Sequence, residues 1–121
     1  MRQCLIVDDS RVVRQVARRI LDTLQFETLE ACDGHEALAQ CRMSMPDAVL
    51  LDWAMPVMDG LEFLRRLRQE PGGDQPTVVF CSAVNEPEKI QQALDAGADE
   101  YVMKPFDGDI IASKFAQAGL L

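Results

Sequence analysis

The sequence predicts an α/β protein built on a parallel sheet that helices cover on both faces. Three observations carry this. Short runs such as Gln3 to Val7, Ala48 to Leu51 and Thr77 to Cys81 are apolar without alternation, as in strands buried on both sides. Longer stretches between them repeat apolar residues at helical spacing. The two patterns alternate five times along the chain, which calls for right-handed crossovers and sets every strand's C-terminal end on one edge of the sheet.

The elements follow in order. Gln3 to Val7 is an apolar strand ending at Asp8, Asp9 and Ser10. From Arg11 to about Gln25, Val12, Val13, Val16, Ala17, Ile20, Leu21 and Leu24 recur at helical spacing, with Arg11, Arg14, Arg18 and Arg19 at other positions. Glu27 to Ala31 alternates like an edge strand. Asp33 and Gly34 break the chain, and Glu36 to Met43 is helical again. Pro46 and Asp47 signal a turn before the strand Ala48 to Leu51, whose tip is Asp52. Asp59 suits the N-cap of a helix from about Gly60 to Gln69, with Leu61, Phe63, Leu64 and Leu67 inward, and Pro71, Gly72 and Gly73 end it. Asp33 and Asp59 read as turn or cap residues. Thr77 to Cys81 leads to Ser82. Pro87 fits the first turn of a helix that runs to Ala96 and stops at Gly97. Tyr101 to Met103 is a short strand ending at Lys104 and Pro105, and a last helix spans Asp107 to about Gln117.

The bulk properties bound the function. A chain of 121 residues fits one domain over 1–121, and 48% hydrophobic with 26% charged residues suits a globular protein. No apolar run nears the roughly 20 residues that cross a bilayer, and the first strand is too short for a signal-peptide core, so a cytoplasmic location without membrane contact is expected. A net charge of −8 argues against nucleic acid as the main partner and suits a site that gathers cations. Cys4, Cys32, Cys41 and Cys81 lack metal or disulfide spacing and read as reduced, partly buried thiols.

The chemistry lies at the strand ends. Asp8 and Asp9 follow the first strand, Asp52 the third, Ser82 the fourth and Lys104 the fifth. In a parallel sheet these three carboxylates, a hydroxyl and an ammonium share one edge. Clustered carboxylates repel, and a hard divalent cation removes the conflict. An all-oxygen set fits Mg²⁺, with Mn²⁺ as a substitute, better than zinc. A cation facing a lysine and a hydroxyl is what a transferring phosphoryl group needs, and Asp52 is the natural nucleophile. Each residue alone has a plainer reading: Asp9 or Ser10 a helix cap, Ser82 a turn former, Lys104 a surface lysine. Asp52 resists one, because a carboxylate beside four apolar residues needs a partner.

These motifs resemble the receiver domains of two-component response regulators, particularly the stand-alone chemotaxis type. The resemblance spans the whole length. It rests on Leu5 to Ser10, on Leu51 to Gly60, on Ser82 and Ala83, and on Tyr101 to Phe106. It implies a flavodoxin-like three-layer sandwich with strand order 2-1-3-4-5. It also implies that Asp52 accepts a phosphoryl group from a phosphohistidine on a sensor kinase or phosphotransfer protein. Asp9, Asp52 and the Ala54 carbonyl would ligate Mg²⁺, with Asp8 acting mainly through a metal-bound water. Lys104 would pair with Asp52 at rest and with phosphoryl oxygens later, while Ser82 and the amides of Ala54 and Ala83 complete the cradle. The bond before Pro105 would be cis and aim Lys104 at the site. Ser82 and Tyr101 would move together and remodel the face of the fourth helix, fifth strand and fifth helix. Tyr101 alone would read as a half-buried strand aromatic. Ala54 and Val84 stand where many relatives are polar or larger, which bears on phosphoryl lifetime, and Ser82 keeps the hydroxyl of the commoner Thr.

By the same resemblance the protein is a monomeric switch that catalyses its own phosphorylation and slow dephosphorylation, not a turnover enzyme. The four arginines of the first helix are either a solvated face or a docking surface for a donor. Output would pass to a downstream protein if the 121 residues are the whole chain. Three rivals are weaker. A haloacid-dehalogenase-like phosphatase needs an Asp where Ala54 stands and a nucleophile after the first strand. A flavin or nucleotide module needs a Gly- or Ser/Thr-rich loop where Asp8 to Arg11 stand. A degenerate receiver would lack part of the five-residue set.

Overall fold

The computed structural model describes residues 2–83 and 86–121; Val84 lies outside them. Its elements alternate as expected: β1 Gln3–Val7, α1 Arg11–Thr23, β2 Glu27–Ala31, α2 Gly34–Met43, β3 Ala48–Asp52, α3 Gly60–Gln69, β4 Thr77–Ser82, α4 Pro87–Asp95, β5 Glu100–Met103 and α5 Gly108–Gln117. The sheet is parallel with the order β2-β1-β3-β4-β5. The order reverses between β1 and β3, so the crevice at that switch point lies beside Asp8 and Asp52.

The strands lack alternation because both of their faces are buried. Leu5, Val7, Val49, Leu51, Val78 and Phe80 pack on one side with Leu38, Phe63, Leu64, Leu67 and Ala93, from α2, α3 and α4. Cys4, Ile6, Ala48, Leu50, Val79, Cys81 and Val102 point the other way, against Ala17, Leu21, Ile111 and Phe115 of α1 and α5. Each large side chain buried this way contributes about 1.5–3 kcal/mol. Two such layers make the central strands rigid supports for whatever stands at their tips.

Helix ends follow their local chemistry. Asp33, Asp59 and Asp107 cap α2, α3 and α5, each accepting from the backbone N–H three residues on, and Ser10 does the same for α1. Helix α2 thus begins at Gly34, two residues ahead of the expected Glu36. Helix α1 ends at Thr23 rather than near Gln25. There Gln25 takes φ 67°, its N–H donates to Asp22 O and the Phe26 N–H to Leu21 O. That is a Schellman stop with glutamine in the left-handed position usually held by glycine, so the sequence carries no glycine signal for it. Helix α4 closes the same way at Gly97, φ 110°.

Burial divides α1 more sharply than spacing shows, and the expectation for one of its arginines needs correction. Its seven apolar residues form two i,i+4 stripes. Ala17 and Leu21 are buried, whereas Val12 is 68% and Val16 43% exposed. Arg14 is not part of a solvated face: only 16% of its side chain is exposed, and it pairs with Glu30 of β2 at 3.0 Å. Arg11, Arg18 and Arg19 are exposed as expected.

Candidate functional site

The sheet brings the predicted polar groups to one edge. Asp52 is the last residue of β3, Ser82 the last of β4, and Lys104 follows β5 directly. The Lys104 backbone N–H donates to the Ser82 carbonyl at 2.9 Å, which extends the β4–β5 ladder by one step and fixes where the lysine leaves the strand. The Lys104–Pro105 peptide bond is cis. The Lys104 ammonium donates to Asp52 Oδ1 at 2.9 Å and to Asp8 Oδ2 at 2.7 Å. The pairing with Asp52 was expected; the shorter one with Asp8 was not.

Asp8 is held at four points. Its N–H donates to Ala31 O at 3.1 Å, its carbonyl accepts from Arg14 Nη1 at 2.7 Å, and its Oδ1 accepts from the Ser10 N–H at 2.9 Å. Its second carboxylate oxygen meets Lys104. Asp8 and Asp52 are buried, while Asp9 is exposed. One oxygen from each of Asp8, Asp9 and Asp52 lies within 4.8 Å of the others.

The electrostatics are unbalanced: three carboxylates cluster, and the Lys104 ammonium pairs with two of them, Asp8 and Asp52. Burial pushes the Asp52 carboxyl above its ordinary range, with the nearby Asp8 and Asp9 adding to it, although the Lys104 hydrogen bond pulls the other way. Burial works against the charge on Lys104, but its bonds to Asp8 and Asp52 outweigh this and raise its pKa. The oxygen-only donor set, its spacing and its surplus negative charge fit a hard divalent cation such as Mg²⁺.

The remaining predicted residues lie on β4, on β5 and in the loops after β3 and β4. Ser82 is buried, and its strand pairs with β5. Ala54 and Ala83 are exposed in the loops after β3 and β4. Tyr101 is half-buried on β5, opposite Phe80. The loop after Asp52 must return sharply, and Gly60 permits it: its N–H donates to Trp53 O, and a Cβ there would stand 2.2 Å from the Asp52 carbonyl oxygen. Trp53 packs edge-on to Phe80 and lies under the Lys89 ammonium of α4 at 5.8 Å, which ties that loop to the first turn of α4.

Beside the cluster runs an apolar groove of about 290 Å³, lined by Val12, Val13, Val16, Ala83, Pro105, Phe106 and Lys104. Sequence reading missed it, because Val12 and Val16 match a core stripe in type and spacing. Only their outward position marks them as surface. No helix among the described residues is long and apolar enough to cross a membrane.

Comparison with known proteins agrees with this geometry. Residues 4–116 match the response regulator receiver domain model. Response regulator MprA of Mycolicibacterium vanbaalenii is 45% identical over 102 residues, 84% of this chain; the chain spans 43% of that protein's length. The structure of the chemotaxis protein CheY4 of Vibrio cholerae superposes with a TM-score of 0.91 at 30% identity, over 100% of this chain and 99% of that one. A CheY-like receiver domain protein from Methanospirillum hungatei gives a TM-score of 0.87 at 27% identity, over 97% and 92% of the two chains. With fold, matched residues and the edge cluster in agreement, the chain belongs to the response regulator receiver domain family.

Proposed function

We propose that this receiver domain is a switch thrown by transfer of a phosphoryl group from a phosphohistidine to Asp52. Receiver domains act in signalling rather than as turnover enzymes. The observation that carries the assignment of Asp52 is its pairing with Lys104 at 2.9 Å, on the edge where Asp8 and Asp9 also stand. A buried carboxylate is a stronger nucleophile toward phosphorus when it is ionised, and the lysine opposes the burial that would neutralise it.

Each group has a part. A carboxylate oxygen of Asp52 attacks phosphorus in line as the bond from phosphorus to the donor's imidazole nitrogen breaks, and the donor ring, already protonated on its other nitrogen, keeps the bonding electron pair and leaves as neutral imidazole. Lys104 follows the negative charge from Asp52 to the phosphoryl oxygens. The Ser82 hydroxyl and the amides of Ala54 and Ala83 donate to those oxygens. Asp9, Asp52 and the Ala54 carbonyl would hold Mg²⁺, with Asp8 acting through water, and the ion supplies charge neutralisation for the transferring group. Ser82 moving toward the phosphoryl group frees space for Tyr101, and the face of α4, β5 and α5 changes for a downstream protein. The donor, a histidine kinase or phosphotransfer protein, would dock along α1, where Val12 and Val16 line the groove that reaches Lys104 and Arg11, Arg18 and Arg19 are exposed.

Labelling tests this. The wild-type domain should take up radiolabelled phosphate from a phosphorylated donor in an Mg²⁺-dependent way, with the label lost in alkali as an acyl phosphate requires. Asp52→Asn should fall to background. A variant that labels at the wild-type level would overturn the assignment.

A further inference from the structure

We infer that Arg14 is a positioning residue for the acidic cluster: by gripping the Asp8 carbonyl from behind, it sets the aim of the Asp8 and Asp9 carboxylates. This rests on the proposed reading of those carboxylates as a cation site. Asp8 lies one residue beyond the last β1–β3 pair, Val7 with Leu51. Its carbonyl is therefore past the end of that ladder. Arg14 Nη1 donates to it at 2.7 Å, while Nε of the same guanidinium donates to Glu30 Oε1 at 3.0 Å. One planar group thus locks the loop after β1 to its neighbour β2.

The arrangement holds an internal control. Arg18 also pairs with Glu30, at 3.1 Å through Oε2, and it is exposed where Arg14 is not. Both arginines tie α1 to β2, but it is Arg14 that has the hydrogen bond to Asp8. A role confined to packing α1 on the sheet would make the two similar. A role in aiming Asp8 and Asp9 would set Arg14 apart.

Charge supplies a second discriminator, of opposite sign. Removing a cation close to an anionic cluster should tighten the binding of another cation by Coulomb's law. Removing a group that orients the ligands should weaken it, by about 10–100-fold for outer-shell partners. The sign of the change therefore separates the two effects.

The experiment is calorimetric titration of the metal-free protein with MgCl₂, at a temperature where circular dichroism shows every variant folded. Arg14→Met and Arg14→Lys should both bind at least about tenfold more weakly. The lysine keeps the charge but cannot span Asp8 and Glu30 together. Arg18→Ala should bind as the wild type does. If Arg14→Met does not fold, Arg14→Lys carries the test. Unchanged or tighter binding by the Arg14 variants would overturn the proposal, and so would an equal loss in Arg18→Ala. Asp9→Asn should lose most binding. If it binds as the wild type does, the cation-site reading itself fails, and the role of Arg14 with it; if it loses binding while the Arg14 variants do not, the role of Arg14 alone fails.

Discussion

Asp52 holds a charge where charge is costly. Its carboxyl is pushed above the ordinary value of 3.8, first by burial and then by Asp8 and Asp9, against the pull of Lys104. The folded protein therefore keeps this proton over a pH window in which the unfolded chain has released it. Across that window stability falls as pH rises, from the unfolded value up through the folded one. Asp52→Asn removes the liability and leaves Lys104 paired with Asp8. In chelator, the variant should melt a few degrees above the wild type at neutral pH, with the margin shrinking as pH falls toward the ordinary carboxyl range. Millimolar Mg²⁺ should raise the wild-type melting point more than that of the variant. A margin that ignores pH would refute the account. Sequence showed that Asp52 needed a partner; it could not show that Asp8 shares the same lysine, since that depends on side-chain reach across the edge. Nor could it show Val57, 88% exposed at φ 67°, around which the Met58 N–H donates to Pro56 O at 2.7 Å. A β-branched residue seldom takes that conformation.

Elements were legible where a local rule decides them. Asp33 and Asp59 read as turns or caps because a carboxylate before a helical run satisfies the first-turn amides, and both cap their helices. Their register on the sheet was less legible. In α1 two i,i+4 stripes have the same period, so spacing alone could not say that Ala17 and Leu21 face the sheet while Val12 and Val16 do not. Long-range clamps gave no signal. Arg68 of α3 looks like a surface arginine, yet its guanidinium donates to the carbonyls of Gly73, Pro76 and Gly97 and pairs with Asp99. It gathers the turns that feed β4 and β5, at the edge opposite the acidic cluster. Arg68→Met leaves those carbonyls without this donor and should cost about 2–4 kcal/mol in urea unfolding. Phosphoryl uptake by the fraction that stays folded should persist. A loss under about 0.5 kcal/mol, typical of an ordinary surface change, would show that the clamp carries little. The sheet's outer strands are guarded the same way: Gln40 donates to Glu30 O on β2, and the Glu100 carboxylate accepts from the Tyr101 N–H on β5, held by Lys114. Such contacts blunt edges that would pair with another chain.

At the scale of the whole molecule, charge is divided. The chain carries −8 overall, yet α1 holds four arginines and a single acid, Asp22. Its exposed Arg11, Arg18 and Arg19 accompany the outward Val12 and Val16, and these valines line a groove that reaches Lys104. A donor protein that brings a phosphohistidine to Asp52 would meet this strip and should present acidic residues around an apolar contact. Arg14 is excluded from the test, because replacing it would disturb Asp8 as well. Arg11→Glu with Arg19→Glu should slow transfer from the protein donor by about tenfold or more, mainly through association, as loss of electrostatic steering does. Raising salt should slow the wild type toward the variant, since exposed charges are screened beyond about a Debye length. Val12→Ser with Val16→Ser should slow transfer at every salt concentration, because the lost contact is apolar. Labelling by a small-molecule phosphodonor, which makes no use of α1, should be unchanged in both double variants. An equal loss with the two kinds of donor would mean that these residues support the site itself, and α1 would cease to be a docking surface.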